Sequence, residues 1–177
     1  RWMKTFRNGR KLIVEGIEKL MQVADVDVVI VQGNHDFERS YYLGDSLDAW
    51  FRNNSNVTIN NDATPRKYVK YGSNLIGLTH GNNEKIAELP LLMASEKKKM
   101  WSETKFHEWH LGHLHHKKQF QFQSVAEQKG CTIRYMRSLS GTDAWHNLKG
   151  YVQNIQSAES FIWHKTDGLV CHQFFNL

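Results

Sequence analysis

Three stretches of the chain share one pattern, an apolar run that stops at glycine and histidine. Val28-Val29-Ile30-Val31-Gln32 runs into Gly33-Asn34-His35-Asp36. Leu75-Ile76-Gly77-Leu78-Thr79 runs into His80-Gly81, and Phe106 to Leu111 runs into Gly112-His113-Leu114-His115. Short apolar runs bounded by turn residues predict buried strands. In open α/β sheets ligands bind outside the carboxyl ends of the strands, which is where these polar residues fall.

Between the strands the apolar spacing changes to a helical period. Leu12, Ile13, Gly16, Ile17, Leu20, Met21 and Ala24 predict an amphipathic helix from Lys11. Phe37, Leu43, Leu47, Trp50 and Phe51 predict a second, ending before the polar turn Asn53-Asn54-Ser55-Asn56. A helix followed by an apolar strand, from Asp25 and Asp27 to Val31, is half of a parallel crossover unit whose partner strand is expected upstream. A short strand follows at Val57 to Ile59, then a hairpin of Lys67 to Tyr71 and Leu75 to Thr79 around Gly72-Ser73-Asn74. Glu84 to Glu103 is expected to be helical in two pieces, because Pro90 is best tolerated in a first turn. Gln119 to Val125 and Thr132 to Arg137 read as strands, and Phe161 to His164 with Leu169 to Phe174 as a hairpin around the Asp167-Gly168 signal. Ser138 to Tyr151 reads as a polar loop. Arg1 to Phe6 carry no turn signal, so the chain reads as entered in mid-element, with polypeptide expected before Arg1.

Size and composition narrow the class. A chain of 177 residues is expected to form a single domain, 1–177. It has no apolar run of the length a membrane helix needs and no signal-peptide pattern, so a cytoplasmic location is expected, without a membrane partner. Cys131 and Cys171 lack metal or redox spacing and read as reduced and structural. The net charge of +5 tilts weakly toward a polyanionic partner. The ten histidines are more unusual, since His107, His110, His113, His115 and His116 crowd into ten residues. Lys97-Lys98-Lys99 falls within a predicted helix and reads mainly as a solvated face.

Imidazole together with carboxylate or carboxamide oxygen suits Mn, Zn, Fe or Ni better than Mg or Ca alone. His113 and His115 are two apart, so in extended backbone they point to one side. With Asn34 and His80 they make a candidate N/O metal site. Each motif alone has a blander account: Gly33-Asn34-His35-Asp36 suits a turn whose Asp36 caps the next helix, and a lone histidine after a strand is ordinary loop chemistry.

Taken in order, Gly33-Asn34-His35-Asp36, Thr79-His80-Gly81 and Gly112-His113-Leu114-His115 resemble the third, fourth and fifth motifs of the calcineurin-like metallophosphoesterases. The resemblance covers roughly residues 9 to 116. More loosely, Ser140-Gly141-Thr142-Asp143-Ala144-Trp145-His146 resembles a phage- or prophage-encoded branch, which would place the protein in a host cytoplasm. The resemblance implies an α/β fold, a four-layered α/β/β/α sandwich, incomplete here at its N-terminus. It implies two divalent metal ions, manganese first among them, and hydrolysis of phosphodiesters, with DNA as substrate in the repair-exonuclease branch. Asn34, His80 and His113 would hold the second metal and His115 the first. His35 would sit against the scissile phosphate, and Asp36 would hold its ring.

The family's first two motifs, Asp-x-His and Gly-Asp-x-x-Asp, normally come before Gly-Asn-His. This chain has neither there. Gly44-Asp45-Ser46-Leu47-Asp48 spells the second but lies in a predicted helix, with Leu47 on the core face. The missing ligands are expected from a longer polypeptide or from a partner chain, including another copy in a homo-oligomer. Basic and aromatic flanks for a nucleic acid are expected from Lys97 to Lys99, Lys117-Lys118, Arg134 and Arg137, with Trp145 and His146 as a rim over the substrate. The alternative is a catalytically incomplete fragment acting as a nucleic-acid or protein binding module. Trp2, Trp50 and Phe174 suit either an interface or the core.

Overall fold

The computed structural model describes residues 2–113, 125–139 and 155–177. The protein is mixed α/β and packs as two compact units, Arg1–Pro65 and Arg66–Leu177.

In the first unit helix α1 (Trp2–Leu20) precedes strand β1 (Val26–Val29), helix α2 (Phe37–Phe51) and strand β2 (Val57–Asn60). Val14 and Ile17 on α1 and Leu47 and Phe51 on α2 recur at three- and four-residue spacing, so each pair shares a helix face. Those faces close over Val26, Val28, Ile30, Val57 and Ile59. Strands β1 and β2 are parallel, with Val26 opposite Val57 and Val29 opposite Asn60. Among the described residues the parallel partner of β1 is the downstream strand reached through α2. In α2 Gly44 and Leu47 are buried while Asp45 and Asp48 face water, so the two carboxylates of Gly44-Asp45-Ser46-Leu47-Asp48 lie on the helix surface. Gly44 has its own reason: a Cβ there would lie 2.2 Å from Oδ1 of Asn61.

The second unit holds a five-stranded sheet in the order β3-β4-β5-β7-β6, formed by β3 (Arg66–Tyr71), β4 (Asn74–Thr79), β5 (Phe106–Leu111), β6 (Val125–Gln128) and β7 (Cys131–Tyr135). β3 and β4 are the expected antiparallel hairpin, whereas β4, β5 and β7 run parallel. The crossover from β4 to β5 is a 3-10 turn (Ile86–Glu88), α3 (Leu89–Glu96) and α4 (Lys98–Ser102), with Pro90 in the first turn of α3, where its missing N–H costs nothing. Trp109 is fully buried with Leu75, Leu89, Met93, Leu111, Cys131 and Ile133. Its indole N–H donates to the Leu89 carbonyl at 3.0 Å.

Strands β8 (Ser157–His164) and β9 (Gly168–Asn176) form a separate hairpin. Gly168 turns it with φ of +84°, as the Asp-Gly signal demands. Asn74 Nδ2 donates to the His164 carbonyl at 2.9 Å, and the Ser73 N–H donates to the Lys165 carbonyl at 2.8 Å, tying the hairpin to the β3–β4 turn.

Both cysteines are free. Burial, assisted by the nearby Glu108 charge, pushes the Cys131 thiol up to about 12. In a thiol-reagent titration near neutral pH, half-buried Cys171 is expected to react in the folded chain, and Cys131 only after urea unfolds it. Among the described residues no helix is long and apolar enough to cross a membrane. Trp2, Trp50 and Phe174 are all exposed, so none of them belongs to the core.

Candidate metal centre

Parallel pairing of β4 with β5 sets Thr79 opposite Leu111, so the next residues of both chains leave the sheet at the same end. There the His80 and His113 rings meet edge to face, with centroids 4.9 Å apart and planes at 72°. Nδ1 of His113 lies 3.1 Å from Nε2 of His80, and both residues are half-buried. The surrounding glycines permit this approach. A Cβ on Gly112 would press within 3.4 Å of Nδ1 of His80, and one on Gly81, where φ is +85°, would meet Leu111 at 2.9 Å.

His113 itself has φ of +62°, a left-handed conformation in which histidine is enriched among non-glycine residues. The backbone is thus not extended at His113, and alternation does not carry the argument that His113 and His115 share a side. His115, Lys117, Trp145 and His146 lie outside the described residues.

Two imidazole nitrogens 3.1 Å apart satisfy either an N–H···N bond or a shared ion. With metal–nitrogen bonds of about 2.0–2.1 Å, adjacent ligands of an octahedral or tetrahedral ion stand about 2.8–3.4 Å apart. The separation of 3.1 Å falls within that range. Among the described residues no group of three or more His, Cys, Asp or Glu gathers around one point.

Asn34 and His35 are exposed on the loop from β1 into α2. Asp36 stands at the N-cap of α2, yet its side chain makes no capping bond to the helix backbone. Its Oδ1 accepts the Gly33 N–H and its Oδ2 the Ser40 hydroxyl, both at 3.0 Å. The carboxylate thus cross-links the loop to the first turn of α2 and is spent there, not on the His35 ring.

One network escaped the sequence. Glu84 Oε1 accepts the Thr79 hydroxyl at 3.3 Å and Nη1 of Arg66 at 3.1 Å. Nε and Nη2 of Arg66 reach Glu96 at 2.9 and 2.6 Å, and the Tyr68 hydroxyl donates to Glu96 at 2.7 Å. The Arg66 hydrogen bond, outweighing the opposing effect of burial and aided by Tyr68, holds the Glu96 carboxyl below its usual range. Because the folded value is depressed, this contribution is fully present above the ordinary glutamate value of about 4.3 and is lost as pH falls through the lower folded value. Glu96→Gln is expected to lower Tm near neutral pH and to flatten the acid limb of the Tm-against-pH curve, measured by circular dichroism.

The expected basic flank is partly neutralised. Arg134 pairs with buried Glu108, which also contacts Nε2 of His110 at 2.7 Å. The Lys97 ammonium lies 5.3 Å over the Tyr68 ring, whereas Lys98 and Lys99 face water. Arg137 sits 4.5 Å over exposed Phe174. His107 stacks on Trp101 at 3.7 Å, and burial lowers its pKa below the usual histidine value. These histidines have polar and packing roles apart from the His80–His113 pair. No family model, curated protein or solved structure matches the chain.

Proposed function

We propose that the chain carries part of a metal-dependent phosphoesterase centre acting on phosphodiesters, DNA among them. The observation that carries this reading is the His80–His113 pair, whose ring nitrogens converge at the carboxyl ends of adjacent parallel strands. In this reading His80 and His113 hold one divalent ion, manganese first, and Asn34 and His115 are the further ligands that the motif resemblance implies. Metal ions in such a centre polarise the phosphoryl oxygens and lower the pKa of bound water. His35 donates a proton to the leaving oxygen or stabilises charge on the phosphate. Asp36 fixes the loop on which His35 stands. The four-layered α/β/β/α sandwich belongs to the same proposal. It is supported by helices lying against one face of a sheet in each unit. The remaining ligands are supplied by a longer polypeptide or by a partner chain.

Hydrolysis of bis(p-nitrophenyl) phosphate tests the proposal. Turnover is expected with added manganese once the polypeptide carrying the remaining ligands is present, and is expected to disappear with chelator and in His113→Ala. Turnover insensitive to chelator would overturn it. Absence of turnover and of metal uptake, with DNA binding unchanged by chelator, would instead establish the binding-module alternative.

A further inference from the structure

We propose that Glu84 and Arg66 are positioning residues for His80, fixing the base of its loop so that the ring faces His113. The chemical consequence rests on the phosphoesterase reading; the geometry does not. After Thr79 the chain leaves β4, and five residues later the Glu84 side chain, 4% exposed, returns to accept the Thr79 hydroxyl. That bond closes the loop His80-Gly81-Asn82-Asn83 at its base. Arg66 stands opposite Thr79 in the β3–β4 register and donates to the same Glu84 oxygen. Its other nitrogens grip Glu96 at the end of α3. One guanidinium therefore ties the loop to both the sheet and the crossover helix.

A carboxylate this deep is tolerated only with a charged or hydrogen-bonding partner, and removing that partner leaves an uncompensated buried charge. The contrast is Lys70 with Glu103, a pair open to water that closes no loop. Gly112 lies beside the His80 ring, where a Cβ would come into ordinary contact with Nδ1 at 3.4 Å. With the loop base released, nothing in this network keeps Nε2 of His80 within 3.1 Å of Nδ1 of His113. Loss of outer contacts of this kind typically weakens metal affinity about 10–100-fold.

The test compares Glu84→Gln, Arg66→Lys and Glu103→Gln in the whole chain, with cobalt(II) as the metal probe read by visible absorption. Nuclear Overhauser contacts between the His80 and His113 ring protons, recorded without metal, give a second readout. Near-ultraviolet circular dichroism of buried Trp109 reports the fold. Glu84→Gln is expected to weaken cobalt binding about 10–100-fold and to lose the ring contact, with the Trp109 signal kept. Arg66→Lys, which keeps the charge but loses the fork, shifts both readouts in the same direction. Glu103→Gln leaves both unchanged. Retention of the ring contact and of cobalt affinity in Glu84→Gln overturns the proposal. If the unsubstituted chain takes up no cobalt, the phosphoesterase reading falls, and the ring contact alone decides the positioning role. Should Glu84→Gln fail to fold, Thr79→Val removes only the hydroxyl and carries the same comparison.

Discussion

His35→Ala is expected to lower kcat for phosphodiester hydrolysis by about 10²–10⁴-fold, the contribution of a positioned general acid, with KM and bound metal nearly unchanged. The expectation rests on the proposed phosphoesterase reading. His35 is exposed on the loop from β1 into α2. It is not buried against a core that its removal would open. The loop is pinned by Asp36, which accepts the Gly33 N–H and the Ser40 hydroxyl, so the backbone orients His35 without a carboxylate on its ring. Asp36→Asn should therefore act through the loop and lower the rate less than His35→Ala does. Steady-state kinetics with metal content measured in parallel decide the matter. A His35→Ala rate close to that of the unsubstituted chain would remove His35 from the chemistry, and a fall in bound metal would make it a ligand.

The ends of β4 and β5 were legible because each is a short apolar run stopped by a turn residue. Thr79 and Leu111 close β4 and β5 where the sequence pattern stops, and α2 occupies Phe37–Phe51 as its periodicity predicts. β1 starts at Val26, within the Asp25–Asp27 opening read from the sequence, but ends at Val29, two residues short of the Val31 expected. Asp27 alternates outward between Val26 and Val28, which face the helices. Helix α1 extends back to Trp2, beyond the Lys11 start drawn from core spacing, since Trp2 and Met3 are exposed and impose no core period. For the site, each histidine was visible at its strand end, but the left-handed backbone at His113 was not. The link from Arg66 to Glu84 was invisible for another reason. It exists only once the β3–β4 register sets Arg66 against Thr79 and the following loop brings Glu84 back. Arg134 looked like a free cation because its partner Glu108 lies on a neighbouring strand, far away in sequence.

Trp109→Ala is expected to destabilise the second unit by about 3–5 kcal/mol, the range for removing a large aromatic side chain from a core. The indole is fully buried beside Leu75, Leu111 and Ile133, with the Tyr68 ring edge-on at 5.4 Å. Its N–H bonds the Leu89 carbonyl, the first residue of α3, so truncation also strips a partner from a buried acceptor. Gly77 shows how little slack surrounds the ring: a Cβ there would lie 2.5 Å from Cε3 of Trp109. Gly77→Ala is accordingly expected to cost about 1–3 kcal/mol through overpacking. Exposed Trp2 supplies the control, since Trp2→Ala should leave stability almost unchanged. Urea unfolding followed by far-ultraviolet circular dichroism measures all three. A Trp109→Ala loss below about 1 kcal/mol would mean that α3 collapses onto β4 and fills the space. Such a collapse would shift Glu96, which Arg66 holds at the end of α3, and on the proposed phosphoesterase reading should also weaken metal uptake at His80.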